Sequence, residues 1–305
     1  MPAEHVLITG GSGFIGSAVA RGFVDAGYRV TVVDHTPGTV RGADSVVGDL
    51  REEQVRERAL VHDVSGVVHL AAATSVVGSM SDPLSVYHDN VSVTAALLEL
   101  ARTRGAEHFL MSSTNAVVGE VGHRTIDPEM PLRPLTPYGA TKAAGEMLLS
   151  AYAGSYGMTT CALRLTNVYG PGMGHKDSFV ARLMRAARAG AGVQVYGDGL
   201  QQRDFVYVDD VVAAMLLAWR SSVVGTLIAG SGTSVTMLDL IDRVRRVTDR
   251  PIPVKHAPAR SGEMTAVIVD LTTTRRLGYD PAIELDDGLS SVWREAAVDW
   301  ASRPG

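Results

Sequence analysis

A single cysteine, Cys161, in 305 residues excludes an internal disulfide and any cysteine-rich metal centre. It lies in an apolar, β-branched stretch, where a thiol behaves as a small hydrophobe. The nine histidines are scattered with no ligand-like spacing, so no metal is expected. No apolar run approaches membrane length: the longest, residues 211–219, falls far short of the ~18 residues that a spanning helix needs. An excess of positive charge is also missing. The net charge of -5 gives no attraction to nucleic acid or to an anionic membrane, and neither is an expected partner. Strand-like sequence begins at His5 with no basic, apolar leader before it, which makes the cytoplasm the expected compartment. No repeat or low-complexity segment stands out.

What is present is an ordinary globular composition, 46% apolar and 20% charged, with length for one large domain or two packed lobes. Short β-branched runs at residues 5–9, 29–34, 45–47, 66–70, 108–112 and 160–165 alternate with helix-length segments at 16–25, 52–60, 83–104 and 138–156. This alternation predicts an α/β fold, a doubly wound parallel sheet of Rossmann type with a smaller C-terminal lobe. Residues 1–167, with 206–229 and about 262–272, form the expected dinucleotide-binding domain; 168–205, 230–261 and 273–305 form the expected substrate lobe. Further helices are expected at 209–220, 237–248 and near 288–301, with strands at 226–229 and 252–256.

Two motifs carry chemistry. Gly10, Gly13 and Gly16 open the helix that follows the first strand, where backbone amides approach a pyrophosphate closely. Asp34 ends the second strand; its carboxylate accepts from a ribose hydroxyl and repels a 2′-phosphate, favouring NAD over NADP. Asp49 and Leu50 follow the third strand, and the small run Leu70, Ala71, Ala72 the fourth, where a flat cofactor has room. The second motif pairs Tyr138 with Lys142, one helical turn apart. A phenol titrates near 10, so the ammonium and a nearby nicotinamide are expected to lower it. Ser112, Ser113 and Thr114 end the fifth strand on the face where that helix begins.

With these motifs the chain resembles the extended short-chain dehydrogenase/reductases of the NAD-dependent nucleotide-sugar epimerase/dehydratase family, nearly end to end. The likeness extends through His69 to Ala72, Asn90-Val91, Leu163 to Gly172, Tyr196 to Gly199, Arg203 to Asp210 and Arg260 to Glu263. It implies Tyr138 as base, Lys142 as its partner and a ribose ligand, and Thr114 as the hydroxyl of the catalytic set. Gly10, Gly13, Phe14, Ile15, Gly16, Asp34, Asp49, Leu50, Leu70, Ala71, Ala72, Tyr138 and Lys142 would bind NAD. Thr114, Asn115, Ala116, Tyr138, Asn167, Arg203, Arg260 and Glu263 would bind the nucleotide sugar, guanidinium forks suiting a diphosphate.

Dehydratases of this family carry an acid two positions after the catalytic hydroxyl, where this chain has Ala116. The resemblance therefore implies C4 epimerisation through a transient 4-keto sugar, with no net redox change. The substrate is expected to be a UDP-sugar, with a dTDP-sugar as a variant: UDP-glucose/UDP-galactose, or UDP-glucuronate/UDP-galacturonate with Thr114, Asn115 and amides beside Ala116 receiving the carboxylate. Val118 and Ala73 stand where the family has tyrosine and a polar residue, reshaping the sugar pocket. Competing readings are an NAD(P)-dependent 4-ketoreductase of a deoxysugar pathway, a 4,6-dehydratase, or a non-catalytic NAD sensor. A second copy of the chain, paired through helices 83–104 and 138–156, is the expected protein partner.

Overall fold

The computed structural model describes residues 3–259 and 262–298. Seven strands form one parallel sheet: β1 His5–Thr9, β2 Arg29–Asp34, β3 Ala43–Val47, β4 Val64–His69, β5 His108–Thr114, β6 Thr159–Leu165 and β10 Gly225–Ala229. Their order is β10-β6-β5-β4-β1-β2-β3. The chain winds one way from β1 through β2 to β3, then crosses back to β4 and proceeds the other way. In sheets of this kind a crevice forms at that reversal, outside the carboxyl ends of the two strands, here β1 and β4.

Helices cover both faces, so β1 is buried along its whole length. Val6 and Ile8 pack with Val19 and Phe23 of α1 (Phe14–Asp25) and Met215 of α8 (Val208–Arg220). Leu7, pointing the other way, packs with Leu97 and Leu98 of α5 (Val93–Thr103), and with Phe109 and Met111 of β5. Cys161 is buried in β6, and burial pushes its thiol up to about 12, as an inert core residue requires.

Between these elements lie α2 (Glu53–Ala59), α3 (Val76–Ser81) and α4 (Pro83–Tyr87). The single helix expected at 83–104 is interrupted: α4 and α5 are joined by a π-helical turn, His88–Ser92. The widened turn accommodates Asn90, buried to 3%, whose side-chain amide pairs with both the N–H and the C=O of Ala73.

After a three-residue strand, β7 (Asn167–Tyr169), the chain builds two small sheets. β7, β9 (Gln202–Tyr207) and β11 (Ser234–Thr236) form one; β8 (Val193–Tyr196) and β12 (Val254–Ala257) form the other. α7 (Phe179–Ala189), α9 (Met237–Thr248) and α11 (Leu285–Val298) enclose a separate core of Tyr169, Leu183, Met184, Leu240, Val244 and Leu289. α10 (Thr272–Arg276) lies against β10. The α7 helix and the β8 and β9 strands were not legible as elements, because glycine-rich turns at Gly190, Gly197 and Gly199 break the pattern around them. Among the described residues no helix is long and apolar enough to cross a membrane.

Candidate active site

The turn from β1 to α1 is built by steric exclusion. Gly10 adopts φ +69, and its Cβ would stand 2.8 Å from the Ala71 amide nitrogen; a Cβ on Gly16 would stand 1.9 Å from the Gly10 carbonyl oxygen. Glycine is required at both positions. α1 then begins at Gly13 with no side-chain cap, leaving its first-turn amides to an anion. Phe14 and Ile15 offer that anion only their backbone, because both side chains pack into cores. At the tip of β2, Asp34 accepts from the amides of Ser12 at 3.1 Å and Thr36 at 3.3 Å, which fixes its carboxylate beside the glycine turn.

Asp49 follows β3 and is held by Arg51, whose Nε donates to it at 2.8 Å; that contact keeps its pKa below the usual carboxylate value. Leu50 is buried beneath it. Leu70 and Ala71, at the end of β4, both donate their amides to Thr9 Oγ1 at 3.1 Å.

Under this edge sits His69, 1% exposed. Its Nδ1 lies 2.7 Å from Thr9 Oγ1 and its Nε2 3.0 Å from Thr94 Oγ1. Thr94 Oγ1 donates to the Asn90 carbonyl and Thr9 Oγ1 is free to donate, so the pattern fits a neutral ring protonated on Nε2. Burial, reinforced by the Lys142 charge, drives the His69 pKa to about 3.

Helix α6 (Pro137–Tyr156) carries the tyrosine and the lysine. Thr136 caps it by accepting from the Gly139 amide, and Pro137 supplies a preset φ at its first position. Asn90 reaches it too, donating to Thr141 Oγ1 at 3.0 Å. The Tyr138 phenol is hydrogen-bonded to Thr114, at the end of β5. The Lys142 ammonium donates to the Ser112 carbonyl at 2.9 Å. The protein groups of the site do not by themselves lower the phenol. The residue as a whole keeps some contact with solvent, but its phenol is enclosed and burial pushes it up to about 12, the Thr114 bond opposing in part. Burial also lowers Lys142 to about 8, against the pull of Glu146.

One correction concerns the sugar side. Asn115 is 2% exposed and donates to the Leu165 carbonyl, so its side chain is turned into the core and is withdrawn from a sugar carboxylate. The Ala116 amide is also engaged, donating to Thr114 Oγ1 at 3.2 Å.

Between α7 and the strands β7, β8 and β9 a cleft of about 200 Å³ is lined by Asn167, Phe179, Arg182, Gln194, Arg203 and Glu263, among others. Asn167 donates to the Asp204 carbonyl at 2.9 Å. Arg203, on β9, is mostly buried and lies 3.3 Å from Glu263. Arg260, expected beside them, falls outside the described residues. No cluster of metal-ligating side chains occurs among the described residues.

Sequence reasoning did not assign a role to His69, Asn90, Glu146 or Arg164. The last two form a buried pair behind Lys142; Glu146 stands a further turn along α6, but no sequence spacing ties it to Arg164.

Sheet order, crevice, glycine turn and Tyr–Lys helix together define a dinucleotide-dependent enzyme of Rossmann type. The chain belongs to the NAD dependent epimerase/dehydratase family, whose model matches residues 6–227. It is 31% identical to a putative UDP-glucose 4-epimerase of Methanocaldococcus jannaschii, over 97% of each chain. Its fold matches the Thermus thermophilus UDP-glucose 4-epimerase in complex with NAD, with a TM-score of 0.91 and 32% identity over 97% of this chain and 99% of that one. It also matches MoeE5 in complex with UDP-glucuronic acid and NAD, with a TM-score of 0.89 and 31% identity over 96% and 99%.

Proposed function

We propose that this chain is a nucleotide-sugar 4-epimerase that keeps NAD bound through turnover and interconverts UDP-glucose and UDP-galactose. The observation that carries this reading is the closure of Thr114, Tyr138 and Lys142 on the carboxyl end of β5 with an alanine, Ala116, where elimination needs an acid. Alanine performs no proton chemistry, so a hydroxyl, a phenol and an ammonium remain, which suffice to move one proton on and off a sugar oxygen.

The crevice fits the cofactor: the glycine turn leaves no space for side chains, α1 opens uncapped, and Asp34 is fixed at the tip of β2. In this reading the amides of Phe14 to Gly16 would hold the pyrophosphate, with Gly13 shaping the turn through its bond to the Gly10 carbonyl, Asp34 would hold the adenosine ribose and Lys142 the second ribose. NAD supplies hydride acceptance and return at C4. As its phenolate, a form that the Lys142 ammonium and the positive nicotinamide would favour and burial alone opposes, Tyr138 would take the O4 proton and give it back, with Thr114 sharing that proton through its bond to the phenol. Asn167, Arg203 and Glu263 hold the diphosphate and ribose while the ketosugar turns about its phosphate link.

The neutral hexose pair is favoured over the uronate pair because the Asn115 side chain is buried and the Ala116 amide already bonded. The smaller sheets with α7, α9 and α11 are the substrate lobe. A second copy of the chain covers Met80, Leu84, Tyr87 and Met147, large apolar side chains left exposed on α3, α4 and α6.

The test is incubation with UDP-glucose, UDP-glucuronate and dTDP-glucose, with products read by NMR and absorbance followed at 340 nm. Conversion of UDP-glucose to its C4 epimer without net cofactor consumption is expected. A dehydrated ketosugar, or steady consumption of reduced cofactor, would overturn the reading in favour of a dehydratase or a ketoreductase.

A further inference from the structure

Behind the Tyr–Lys pair lies a group that the proton chemistry above does not use. Glu146 follows Lys142 by one turn of α6, on the same face. Its carboxylate receives Arg164 of β6 in a two-pronged pair, Nε to Oε1 at 3.0 Å and Nη2 to Oε2 at 2.8 Å. The Ser113 hydroxyl donates to the same carboxylate. Arg164 also donates to the Asp127 carbonyl. The Arg164 and Glu146 side chains are only 3% and 5% exposed.

A buried ion pair is a poor source of stability, because the cost of desolvating both charges offsets their attraction. What the pair touches is more telling. Ser113 sits between Ser112, whose carbonyl receives Lys142, and Thr114, whose hydroxyl meets Tyr138. Gripping Ser113 therefore fixes both neighbours.

The electrostatics point the same way. An ammonium with little access to water needs a counter-charge to keep its proton. Among the described residues, the titratable groups around Lys142 and the Glu146 carboxylate are Tyr138 and Glu146 on the same helix, His69 from β4, and Arg164 and the uncharged Cys161 thiol from β6. β5 presents only the neutral Ser112 and Ser113. The His69 ring is neutral, the phenol is protonated, and Arg164 carries the same sign as Lys142. Glu146 is the one anion of this set.

We propose that Glu146, paired with Arg164 and Ser113, is a positioning residue that holds Lys142 in its ammonium form and fixes the end of β5 to which Lys142 and Tyr138 are bonded. For its catalytic consequence this rests on the epimerase reading; the effect on the Lys142 proton does not. Loss of the carboxylate removes the counter-charge, and Lys142 gives up its proton at lower pH. Because Lys142 works as a cation, the alkaline limb of the rate profile must fall with it.

The chain has only three lysines, Lys142, Lys176 and Lys255, so NMR of lysine-labelled full-length protein resolves each titration, with Lys142→Met assigning the signal. In the unaltered protein Lys142 is expected to titrate well below the other two. Glu146→Gln is expected to move it down by about one pH unit, a tenfold change in the ammonium-to-amine ratio, and to move the alkaline limb of kcat/KM equally. Glu146→Gln with Arg164→Met leaves no unpaired buried charge and carries the test if the single variant does not fold. It should shift Lys142 in the same direction, by less. An unmoved Lys142 titration in either folded variant overturns the proposal, as does a Lys142 in the unaltered protein that titrates with Lys176 and Lys255. No substrate is needed, so a chain inactive on UDP-sugars can still uphold this inference while refuting the epimerase reading.

Discussion

The Lys142 ammonium donates to the main-chain carbonyl of Ser112 at 2.9 Å, while Thr114, two residues further along the same strand, is bonded to the Tyr138 phenol. One strand end thus anchors both members of the pair. Lysine and tyrosine are registered through β5 as well as through the helical turn that separates them.

Tyr138→Phe should abolish epimerisation, a loss of at least ~100-fold in kcat, while NAD binding is retained. Thr114→Ala should act on the pH profile as well. The Thr114 bond partly offsets the rise that burial imposes on the phenol. Removing it raises the phenol further, so the acid limb of kcat should move to higher pH. Rate–pH profiles of both variants, with NAD affinity from fluorescence titration, check this; an unmoved acid limb in Thr114→Ala would remove Thr114 from the proton path.

Gly16→Ala should cost NAD binding outright. The added methyl would stand 1.9 Å from the Gly10 carbonyl oxygen, and both partners are backbone, so the turn must open. Calorimetric titration with NAD should show at least a ~100-fold loss of affinity, because the amides no longer converge on one point. Gly27→Ala, at a glycine with no atom near its would-be Cβ but a φ of +90, serves as a control for backbone strain alone and should leave NAD affinity intact.

Arg203→Ala should raise KM for the UDP-sugar by ~10- to 100-fold with kcat changed far less, since Arg203 lines a cleft to which Thr114, Tyr138 and Lys142 do not contribute. A matching fall in kcat with KM unchanged would instead assign it to the chemical step. The variant also leaves Glu263 without its partner, so Arg203→Ala with Glu263→Gln separates lost binding from an orphaned carboxylate.

Acid should destabilise the fold through His69. Folded His69 titrates near 3 and unfolded histidine near 6.5, so between those values the unfolded chain holds more protons. Stability is fully present above pH 6.5 and is lost as pH falls toward 3, at about 1.4 kcal/mol per pH unit from this one group. Urea unfolding at pH 7.0 and 4.5 should show the difference, and His69→Asn should lose that part of the slope. An unchanged slope in the variant would mean that other groups carry the acid sensitivity.

Regular, locally patterned parts of the fold could be read in advance. β1 and β2 were legible to the residue because continuous β-branched runs between turn signals leave little choice. The Tyr138 helix was legible from Pro137 and its i, i+4 pair. The burial of Asn115 was not legible because a polar residue after a strand-end threonine reads as exposed; only the packing of the short helical turn after β5 shows it. The rise that burial imposes on the phenol was hidden for a related reason. Spacing along a helix tells which residues are neighbours and says nothing of how dry their surroundings are. Arg164 reads as part of an apolar strand, and its partner Glu146 lies 18 residues earlier, beyond the reach of any periodicity.

The π turn at His88–Ser92 has a mechanical result. Asn90 grips the backbone of Ala73 on one side and Thr141 on the other, so the segment leaving β4 and the first turns of α6 are riveted through a single carboxamide. Straightening the helix there would swing that carboxamide out of reach and uncouple the two walls of the crevice at once. The irregular turn is therefore a joint under compulsion: the chain gives up one ordinary helical repeat so that the segment after β4 and the helix carrying Tyr138 share a common frame.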